Sequence, residues 1–298
     1  MKYYLGIDGG GTRTTAAVSD ESGKILVKSV GKSINFYSVG MEKARENLAS
    51  VINDIYKNIG EIEFEAAFIG CSALDDEATE ETKNSLCDGI IKAEKIGMNS
   101  DVYVALASSG KDKCRLVAIC GTGSIVTGID EKGNVKTKGG WGHIFGDEGS
   151  AYSIAVNALK ASAMLYDEGK ITPLVKKAEE FFKVKDFRLA IDKIYSPETT
   201  KDVLAKFSVK VGEVANEDFV AKTVLINEAH FFSKTVLALL NEMKSCTLVS
   251  LYGGVFQHNE FFRNAFVEDV KEFHPDLKIE MLTLPPEEGA LKIAREMQ

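Results

Sequence analysis

A repeat with a spacing of 110 residues constrains the fold of this chain more than any other feature of its sequence. Residues 6–23 and 116–133 both contain an apolar run, a Gly-Thr turn, a β-branched run and an acidic turn ending in glycine. The matching pairs are Gly11 and Gly121, Thr12 and Thr122, Asp20 and Asp130, Glu21 and Glu131, and Gly23 and Gly133, with Thr14 over Ser124. Two copies are too few for a solenoid, so the repeat predicts two related α/β domains that each begin with a strand, a turn and a second strand.

The first copy contains the glycine-rich loop GIDGGGTRTT at residues 6–15. A Rossmann fingerprint needs glycine at position 14, where this chain has Thr, and the chain has no Walker A motif. The β-branched run and turn signal that follow predict a hairpin. Glycines let successive backbone N–H groups converge on an anion, so this turn can hold a phosphate; the alternative is a tight turn without a ligand. The hairpins of the two copies are together suited to bind a polyphosphate from two sides.

Length and charge limit the partners of the chain. Its 298 residues suffice for two domains, and its net charge of -8 argues against nucleic acid or an anionic membrane surface as the main partner. The first apolar run ends at Asp8, and no later window approaches the roughly 18 apolar residues that span a bilayer. Five cysteines without Cys-x-x-Cys spacing indicate reduced thiols. These features favour a cytoplasmic protein.

The rest of the chain reads mainly as helices. Residues 41–59 place apolar side chains at helical spacing, and residues 174–243 read as several helices. The run VYVALA at residues 102–107 is compatible with a buried strand or a short helix. A buried-strand pattern precedes Gly253 and Gly254, and a helical pattern follows them, so this junction either admits a ligand or is a tight crossover. A polar link near residues 108–112 separates two domains, 1–109 and 110–298.

Four motifs make the chain resemble the sugar-kinase, Hsp70 and actin superfamily of ATPases. Within it, the sequence is similar to the N-acetylglucosamine kinase and BadF/BadG/BcrA/BcrD ATPase branch. GIDGGGTRTT resembles the first phosphate loop, with Arg13 where Lys is more usual, and CGTGS resembles the second. LYGGVFQHNEFF resembles the adenosine motif, and GGWGHIFGDEGSAY at residues 139–152 resembles the sugar-side signature of N-acetylhexosamine kinases. The resemblance implies an α/β fold with two related actin-like, ribonuclease H-like domains around a central cleft. It also implies a final helix, about 287–298, that packs on the N-terminal domain.

The resemblance further assigns site residues by position. Those for the ATP phosphates are Gly10, Gly11, Thr12, Arg13, Thr14, Thr122, Gly123 and Ser124, and those for adenosine are Gly253 and Gly254. Those for the sugar are Asn35, Asp101, Thr122, Gly140, Trp141, Gly142 and Asp147. Asp101 is the expected catalytic base, opening a helix after a strand. Asp8 is expected to hold Mg²⁺ through water, because this metal keeps most of its waters.

Each assignment has a structural alternative. Asp8 could simply form a turn, and Asp101 could cap a helix without taking part in chemistry. The threonines could be ordinary strand residues. Trp141 could belong to the core, although its flanking glycines favour a binding site. We expect His143 to be a satisfied core residue.

The function that the resemblance implies is an ATP-dependent kinase acting on the 6-hydroxyl of an amino sugar. N-acetylglucosamine is the first candidate substrate, with N-acetylmuramic acid, glucosamine and other hexoses as further ones. Its partners would be ATP, Mg²⁺, the sugar and a second copy in a homodimer, with no nucleic acid and no membrane. The alternatives are a BadF-type ATPase that activates a dehydratase through an iron-sulfur cluster, and a non-catalytic sugar sensor.

Overall fold

The computed structural model describes residues 1–74 and 78–297. The chain divides into two units, Met1–Lys111 together with the segment from Leu282 onward, and Asp112–Met281. The strands are β1 (Tyr3–Gly9), β2 (Arg13–Asp20), β3 (Ile25–Lys32), β4 (Phe64–Cys71), β5 (Ala93–Asn99), β6 (Arg115–Cys120), β7 (Ser124–Ile129), β8 (Val135–Gly139), β9 (Leu248–Tyr252) and β10 (Lys278–Met281).

The helices occupy the intervals between these strands and the end of the chain. In chain order they are α1 (Phe36–Val39), α2 (Met41–Ile59), α3 (Glu80–Cys87), α4 (Asp101–Ser108), α5 (Ala151–Asp167), α6 (Pro173–Phe182), α7 (Ala190–Ile194), α8 (Lys201–Ala205), α9 (Phe207–Val214), α10 (Phe219–Glu242), α11 (Gly254–His258), α12 (Glu260–Phe273) and α13 (Pro286–Glu296). A 3-10 turn covers Phe187–Leu189.

The first unit is built on a sheet with the order β3-β2-β1-β4-β5. Strands β1, β2 and β3 pair antiparallel, whereas β1, β4 and β5 pair parallel. Alternate residues of β1 face opposite sides: Leu5 packs in the core that contains α2, and Tyr4 in the core that contains α4 and α13. Helix α13 approaches β1 so closely that a Cβ at Gly6 would lie 2.4 Å from the carbonyl oxygen of Glu287. Helices therefore cover both faces of this sheet.

The second unit repeats the same sheet plan. Its order is β10-β9-β6-β7-β8, with β6, β7 and β8 antiparallel and with β6, β9 and β10 parallel. Strands β6 to β10 thus correspond one by one to β1 to β5. Helices α5 to α10 lie between β8 and β9 in sequence, and the core of the second unit is rich in phenylalanine, including Phe207, Phe232 and Phe256. The prediction of two related α/β domains is confirmed.

Local sequence signals explain how the elements that carry the site begin. The run after Asn99 is a helix, which resolves the ambiguity at residues 102–107 in favour of α4. Helix α5 begins after Ser150, whose side chain accepts a hydrogen bond from the backbone N–H of Ser153. The junction at Gly253 joins β9 directly to α11, as the pattern predicts.

Candidate functional site

The first glycine-rich loop, residues 10–12, connects the antiparallel strands β1 and β2. Gly11, Thr12 and Arg13 are exposed, and a Cβ built on Gly11 would meet no atom within 4 Å. Thr14, the next residue of β2, is fully buried, and its Oγ1 has no hydrogen-bond partner among the described residues. The backbone at Gly11 is thus open to an anionic ligand, whereas the Thr14 hydroxyl is enclosed by the protein.

Asn35 is linked to this loop through Ser33. The Ser33 hydroxyl donates to the carbonyl oxygen of Gly10 at 2.9 Å and accepts from the backbone N–H of Asn35 at 3.0 Å. The Asn35 side chain caps α1 by accepting from the Ser38 N–H, and its Nδ2 donates to the hydroxyl of Ser72 at 3.0 Å. An Asn amide has two donors and two acceptor positions, so one of each is left for a ligand.

Two acidic residues that are distant in sequence come together at the end of β1. Asp8 pairs in register with Gly70 of the neighbouring strand β4. A Cβ at Gly70 would lie 2.6 Å from Cγ2 of Val104 and 3.2 Å from the Cα of Asp101, so glycine is required for α4 to begin there. The missing side chain of Gly70 is therefore what brings Asp101, the first residue of α4, close to Asp8.

The pKa values of both acids are raised. Burial is the main cause for Asp8, followed by the negative charges of Asp101 and Glu287, and together they raise its pKa to about 7. Burial also raises the pKa of Asp101 to about 6, although hydrogen bonds from the backbone N–H groups of Val102 and of Asp101 itself oppose this. Neighbouring acids with raised pKa values are typical of catalytic sites and of sites that bind cations.

Replacing Asp8 by Asn is expected to stabilise the metal-free protein at neutral pH. The pKa of Asp8 is about 7 in the folded protein, whereas an ordinary aspartate, as in the unfolded chain, has a pKa of 3.8. The folded protein therefore binds the carboxyl proton of Asp8 more tightly than the unfolded chain does. Its ionisation therefore destabilises the fold progressively as the pH rises from about 4 to 7, which an amide avoids. Urea unfolding in EDTA should show Asp8→Asn more stable than wild type by about 1 kcal/mol or more at pH 8, with no difference near pH 4.

Asp20 provides a control with the opposite sign in the same unit. Its pKa is lowered, first by the hydroxyl of Ser22 and further by backbone N–H groups. Ionised Asp20 therefore contributes stability above its unfolded pKa, and Asp20→Asn should lose that contribution at pH 8. If Asp8→Asn lost stability at pH 8 as Asp20→Asn does, the raised pKa of Asp8 would be contradicted.

The second glycine-rich loop, residues 121–123, connects β6 and β7 in the same way. Gly121 accepts a hydrogen bond from the backbone N–H of Ala151, so the loop is attached to the start of α5. Ser124 is among the residues predicted for the phosphates, and its hydroxyl donates to the carbonyl oxygen of Glu148 at 2.7 Å. Since a serine hydroxyl has one proton, this hydrogen bond uses it and joins the end of the loop to the segment before α5.

Asp147 lies against this second loop. It is 5% exposed, and its φ of +60° is in the left-handed region that residues other than glycine seldom adopt. A Cβ at Gly123 would lie 2.7 Å from Oδ2 of Asp147. The same oxygen forms an ion pair with Nζ of Lys201 at 3.1 Å. A buried carboxylate in a strained backbone conformation, held by one lysine, is a strong candidate for ligand recognition.

Trp141 lies in a surface segment whose backbone depends on glycine. Gly140 and Gly142 have φ values of +72° and +83°, and Trp141 is 68% exposed. Phe145 is 74% exposed, and its ring centroid lies 6.5 Å from that of Trp141. Trp141 is therefore not a core residue, and its exposed ring is available to a ligand.

The expectation that His143 belongs to the core is wrong. The residue is exposed, and its ring packs edge-on against Tyr152 with 4.9 Å between centroids. It lies in the same exposed segment as Trp141.

The glycine pair at the end of β9 is in contact with the second loop. Gly253 has a φ of +107°, and a Cβ at this position would lie 2.2 Å from the carbonyl oxygen of Cys120. The same Cβ would lie 3.1 Å from the backbone nitrogen of Gly121. Any side chain at Gly253 would collide with the backbone of the loop, so the predicted adenosine motif and the second phosphate loop are adjacent.

Lys201 is a candidate site residue that the sequence patterns did not indicate. It starts the short helix α8, which no motif marks, and it lies 54 positions after Asp147, its partner. A lysine at the start of an ordinary polar stretch reads as solvent-exposed surface. Only the folded chain shows that its ammonium group compensates a buried carboxylate.

A metal site in this chain would depend on few protein ligands. Within the part of the chain that the structure describes, no group of three or more His, Cys, Asp or Glu side chains could hold a metal ion. Asp8 is half-buried beside Asp101 and has no ion-pair partner among the described residues. A carboxylate without an ion-pair partner fits Mg²⁺, which keeps several waters and needs one or two protein carboxylates.

A cavity of about 500 Å³ lies elsewhere in the second unit. It is mainly apolar, with Tyr152, Leu159, Tyr166, Phe187 and Tyr195 among the residues of its wall. The predicted site residues do not line it. Among the described helices, none has both the length and the apolar character of a membrane span.

The chain is similar to known sugar kinases and ATPases along nearly its whole length. Residues 5–291 match the family model described as the BadF/BadG/BcrA/BcrD ATPase family. The N-acetylmuramic acid/N-acetylglucosamine kinase of Clostridium acetobutylicum is 30% identical to this chain over 304 aligned residues, covering 99% of both proteins. The N-acetyl-D-glucosamine kinase of Dictyostelium discoideum is 26% identical, covering 98% of both.

A solved structure shows the same fold over the whole chain. It is that of a putative N-acetylglucosamine kinase from Chromobacterium violaceum, with a TM-score of 0.78, 20% identity and coverage of 99% of both chains. At this identity the likeness shows the fold.

Proposed function

Because the chain belongs to the BadF/BadG/BcrA/BcrD ATPase family, we propose that it is an ATP-dependent kinase that phosphorylates the 6-hydroxyl of an amino sugar. The observation that carries this proposal is the 30% identity with an N-acetylmuramic acid/N-acetylglucosamine kinase along the full length of both chains. N-acetylglucosamine is the first candidate substrate, followed by N-acetylmuramic acid, glucosamine and other hexoses.

The first unit is proposed to provide the reacting groups. Asp101 would accept the proton of the sugar hydroxyl as it attacks the γ-phosphorus of ATP. A pKa of about 6 leaves this carboxylate ionised at neutral pH yet more basic than an ordinary aspartate. We assign Thr12, Arg13 and Thr14, with the backbone of Gly10 and Gly11, to the ATP phosphates.

Asp8 is proposed to hold Mg²⁺ through water. When bound, the ion would neutralise charge on the phosphates of ATP. The negative charge of Asp101 near Asp8 favours a cation at this point, since either a cation or a proton relieves the repulsion between the two acids.

The second unit is proposed to recognise the rest of the two substrates. We assign Thr122, Gly123 and Ser124 to phosphate, and Gly253 and Gly254 to adenosine. Asp147, Trp141 and the glycines on either side of Trp141 are assigned to the sugar, together with Asn35 of the first unit and Thr122. The side-chain oxygens of Asp147 can accept hydrogen bonds from sugar hydroxyls, and an exposed indole ring can pack on the apolar face of a pyranose.

We also propose a cytoplasmic location and a homodimeric state. The location is supported by five unpaired cysteines, four of them buried, because thiols stay reduced in the cytoplasm. The dimer is an expectation from the family resemblance, and the molar mass in solution tests it.

ADP release measured across a panel of sugars tests the kinase proposal. N-acetylglucosamine should stimulate ADP release at least about tenfold over the ATPase rate without sugar. 6-Deoxy-N-acetylglucosamine, which lacks the acceptor hydroxyl, should bind without stimulating. Sugar binding without turnover would instead indicate a sensor, and sugar-independent ATP hydrolysis by a brown, iron-containing protein would indicate a dehydratase activator.

Replacing Thr12 or Thr122 by Val is expected to weaken catalysis without unfolding the protein. Val keeps the β-branched shape, so the loops should persist, but it removes a hydroxyl that we assign to the phosphates. Loss of one such hydrogen bond should lower kcat/KM for ATP by about tenfold in each variant. Thr223→Val on α10 is the matched control. Unchanged kinetics in both loop variants would assign the threonines a structural role only.

A further inference from the structure

A carboxyl group that the proposed chemistry does not use is buried in the second unit. Glu228 lies in the middle of α10 and is 2% exposed. Glutamate is almost never buried to this degree without partners, because its charge loses the solvation of water. Among the described residues, no Lys, Arg or His forms an ion pair with Glu228.

Its two oxygens are satisfied by two N–H donors instead. Oε2 accepts from the backbone N–H of Gly149 at 2.7 Å. Oε1 accepts from Nδ2 of Asn157 on α5 at 2.5 Å. Both partners are donors, so both oxygens act as acceptors. Glu228 thereby attaches the chain just before α5 to the middle of α10.

The attached residue belongs to the turn that carries Asp147. Gly149 has a φ of +80°, and a Cβ there would lie 2.6 Å from Cβ of Phe232, so the turn is pressed against α10. Within the turn, the backbone N–H of Ser150 donates to the carbonyl oxygen of Asp147. Asp147 itself is in the left-handed region, a conformation that persists only where neighbouring contacts impose it.

We propose that Glu228 is a positioning residue for the sugar site. It holds the Gly149 N–H, which fixes the turn over residues 147–150 and so keeps the Asp147 carboxylate aimed for sugar recognition. Asn157 donates a hydrogen bond to the second oxygen of Glu228. We call these two hydrogen bonds, from Gly149 and from Asn157 to Glu228, the clamp. This inference rests on the proposed role of Asp147 in binding an amino sugar.

Four variants separate this clamp from a general effect on folding. Glu228→Leu keeps the helix and the bulk but removes both acceptors. Glu228→Gln keeps an oxygen for the Gly149 N–H, and its amide can pair with Asn157 after a half-turn of the Asn157 amide. Asn157→Asp places a second carboxylate against that of Glu228, so no donor is left between them. In the double variant, Asn157→Asp combined with Glu228→Gln, the new amide N–H at position 228 can donate to the new carboxylate at position 157. Glu242→Leu, at the exposed end of α10, is the control.

The expected kinetic result is a selective loss of sugar affinity. Glu228→Leu and Asn157→Asp should each raise KM for the sugar about tenfold or more, with KM for ATP within about threefold of wild type. Glu228→Gln and the double variant should stay within about threefold for both substrates. Parallel rises of both KM values with a lower melting temperature, or a double variant no better than Asn157→Asp, would overturn the proposal.

Amide hydrogen exchange over residues 147–150 provides a readout that needs no activity. Glu228→Leu should accelerate exchange of these amides at least about tenfold relative to wild type, and Glu242→Leu should not. Wild-type exchange in Glu228→Leu would overturn the clamp. If wild type shows no sugar-dependent turnover, the kinase proposal fails while exchange still decides the clamp. If Glu228→Leu does not fold, Asn157→Asp and the double variant carry both measurements.

Discussion

Asp101→Asn is expected to lower kcat for sugar phosphorylation by about 100-fold or more, the range of general-base loss. The amide keeps the shape of the side chain at the start of α4 and can still hydrogen-bond a sugar hydroxyl, but it cannot accept the proton. Sugar affinity measured by calorimetry should therefore change less than about threefold. Steady-state kinetics and calorimetry on the same preparations separate the two effects.

The pH profile provides the control for this variant. Wild-type kcat/KM should fall as the pH drops through about 6 to 7, where Asp101 and Asp8 take up protons. The kcat/KM of Asp101→Asn should fall less steeply with decreasing pH than that of wild type, because the variant has no Asp101 carboxylate to protonate. Near-normal turnover with an unchanged profile would contradict the assignment of Asp101 as the base.

Asp147→Asn is expected to act on sugar binding instead, raising KM for the sugar by about 10- to 100-fold. The reason is that hydrogen bonds to a charged group contribute about 1.5–3 kcal/mol each, and the amide removes the charge. It also leaves Lys201 without its partner beside the second phosphate loop. Any loss of kcat should be smaller than the change in KM.

Lys201 variants serve as matched controls for Asp147. Lys201→Met leaves the Asp147 carboxylate buried without a cation and should also weaken sugar binding, whereas Lys201→Arg keeps the charge and should retain it. The assignments of the two acids would be reversed if Asp101→Asn kept normal turnover while Asp147→Asn bound sugar but did not react.

Features with a local cause could be predicted from the sequence. The 110-residue repeat predicts two related units, because the residues within a short segment largely determine its strands, turns and hairpins. The glycine runs predict the two loops for the same reason. The junction at Gly253 is also readable, since a strand pattern and a helix pattern meet there.

Contacts between distant parts of the chain could not be predicted in this way. Asp8 and Asp101 meet because Gly70, in a third segment, leaves room for α4. Lys201 and Glu228 reach the Asp147 turn from helices whose sequences look like ordinary surface and core. The unused hydroxyl of Thr14 and the exposed ring of His143 depend on how much neighbouring chain covers them, which periodicity does not report.

The most direct test of the account is to identify the phosphorylated product. After incubation with ATP, Mg²⁺ and N-acetylglucosamine, phosphorus-proton correlation NMR should show one new phosphomonoester coupled to the two protons on C6, formed in equal amount to ADP. A phosphate on another oxygen of the sugar, or ADP with inorganic phosphate and no sugar phosphate, would contradict the account.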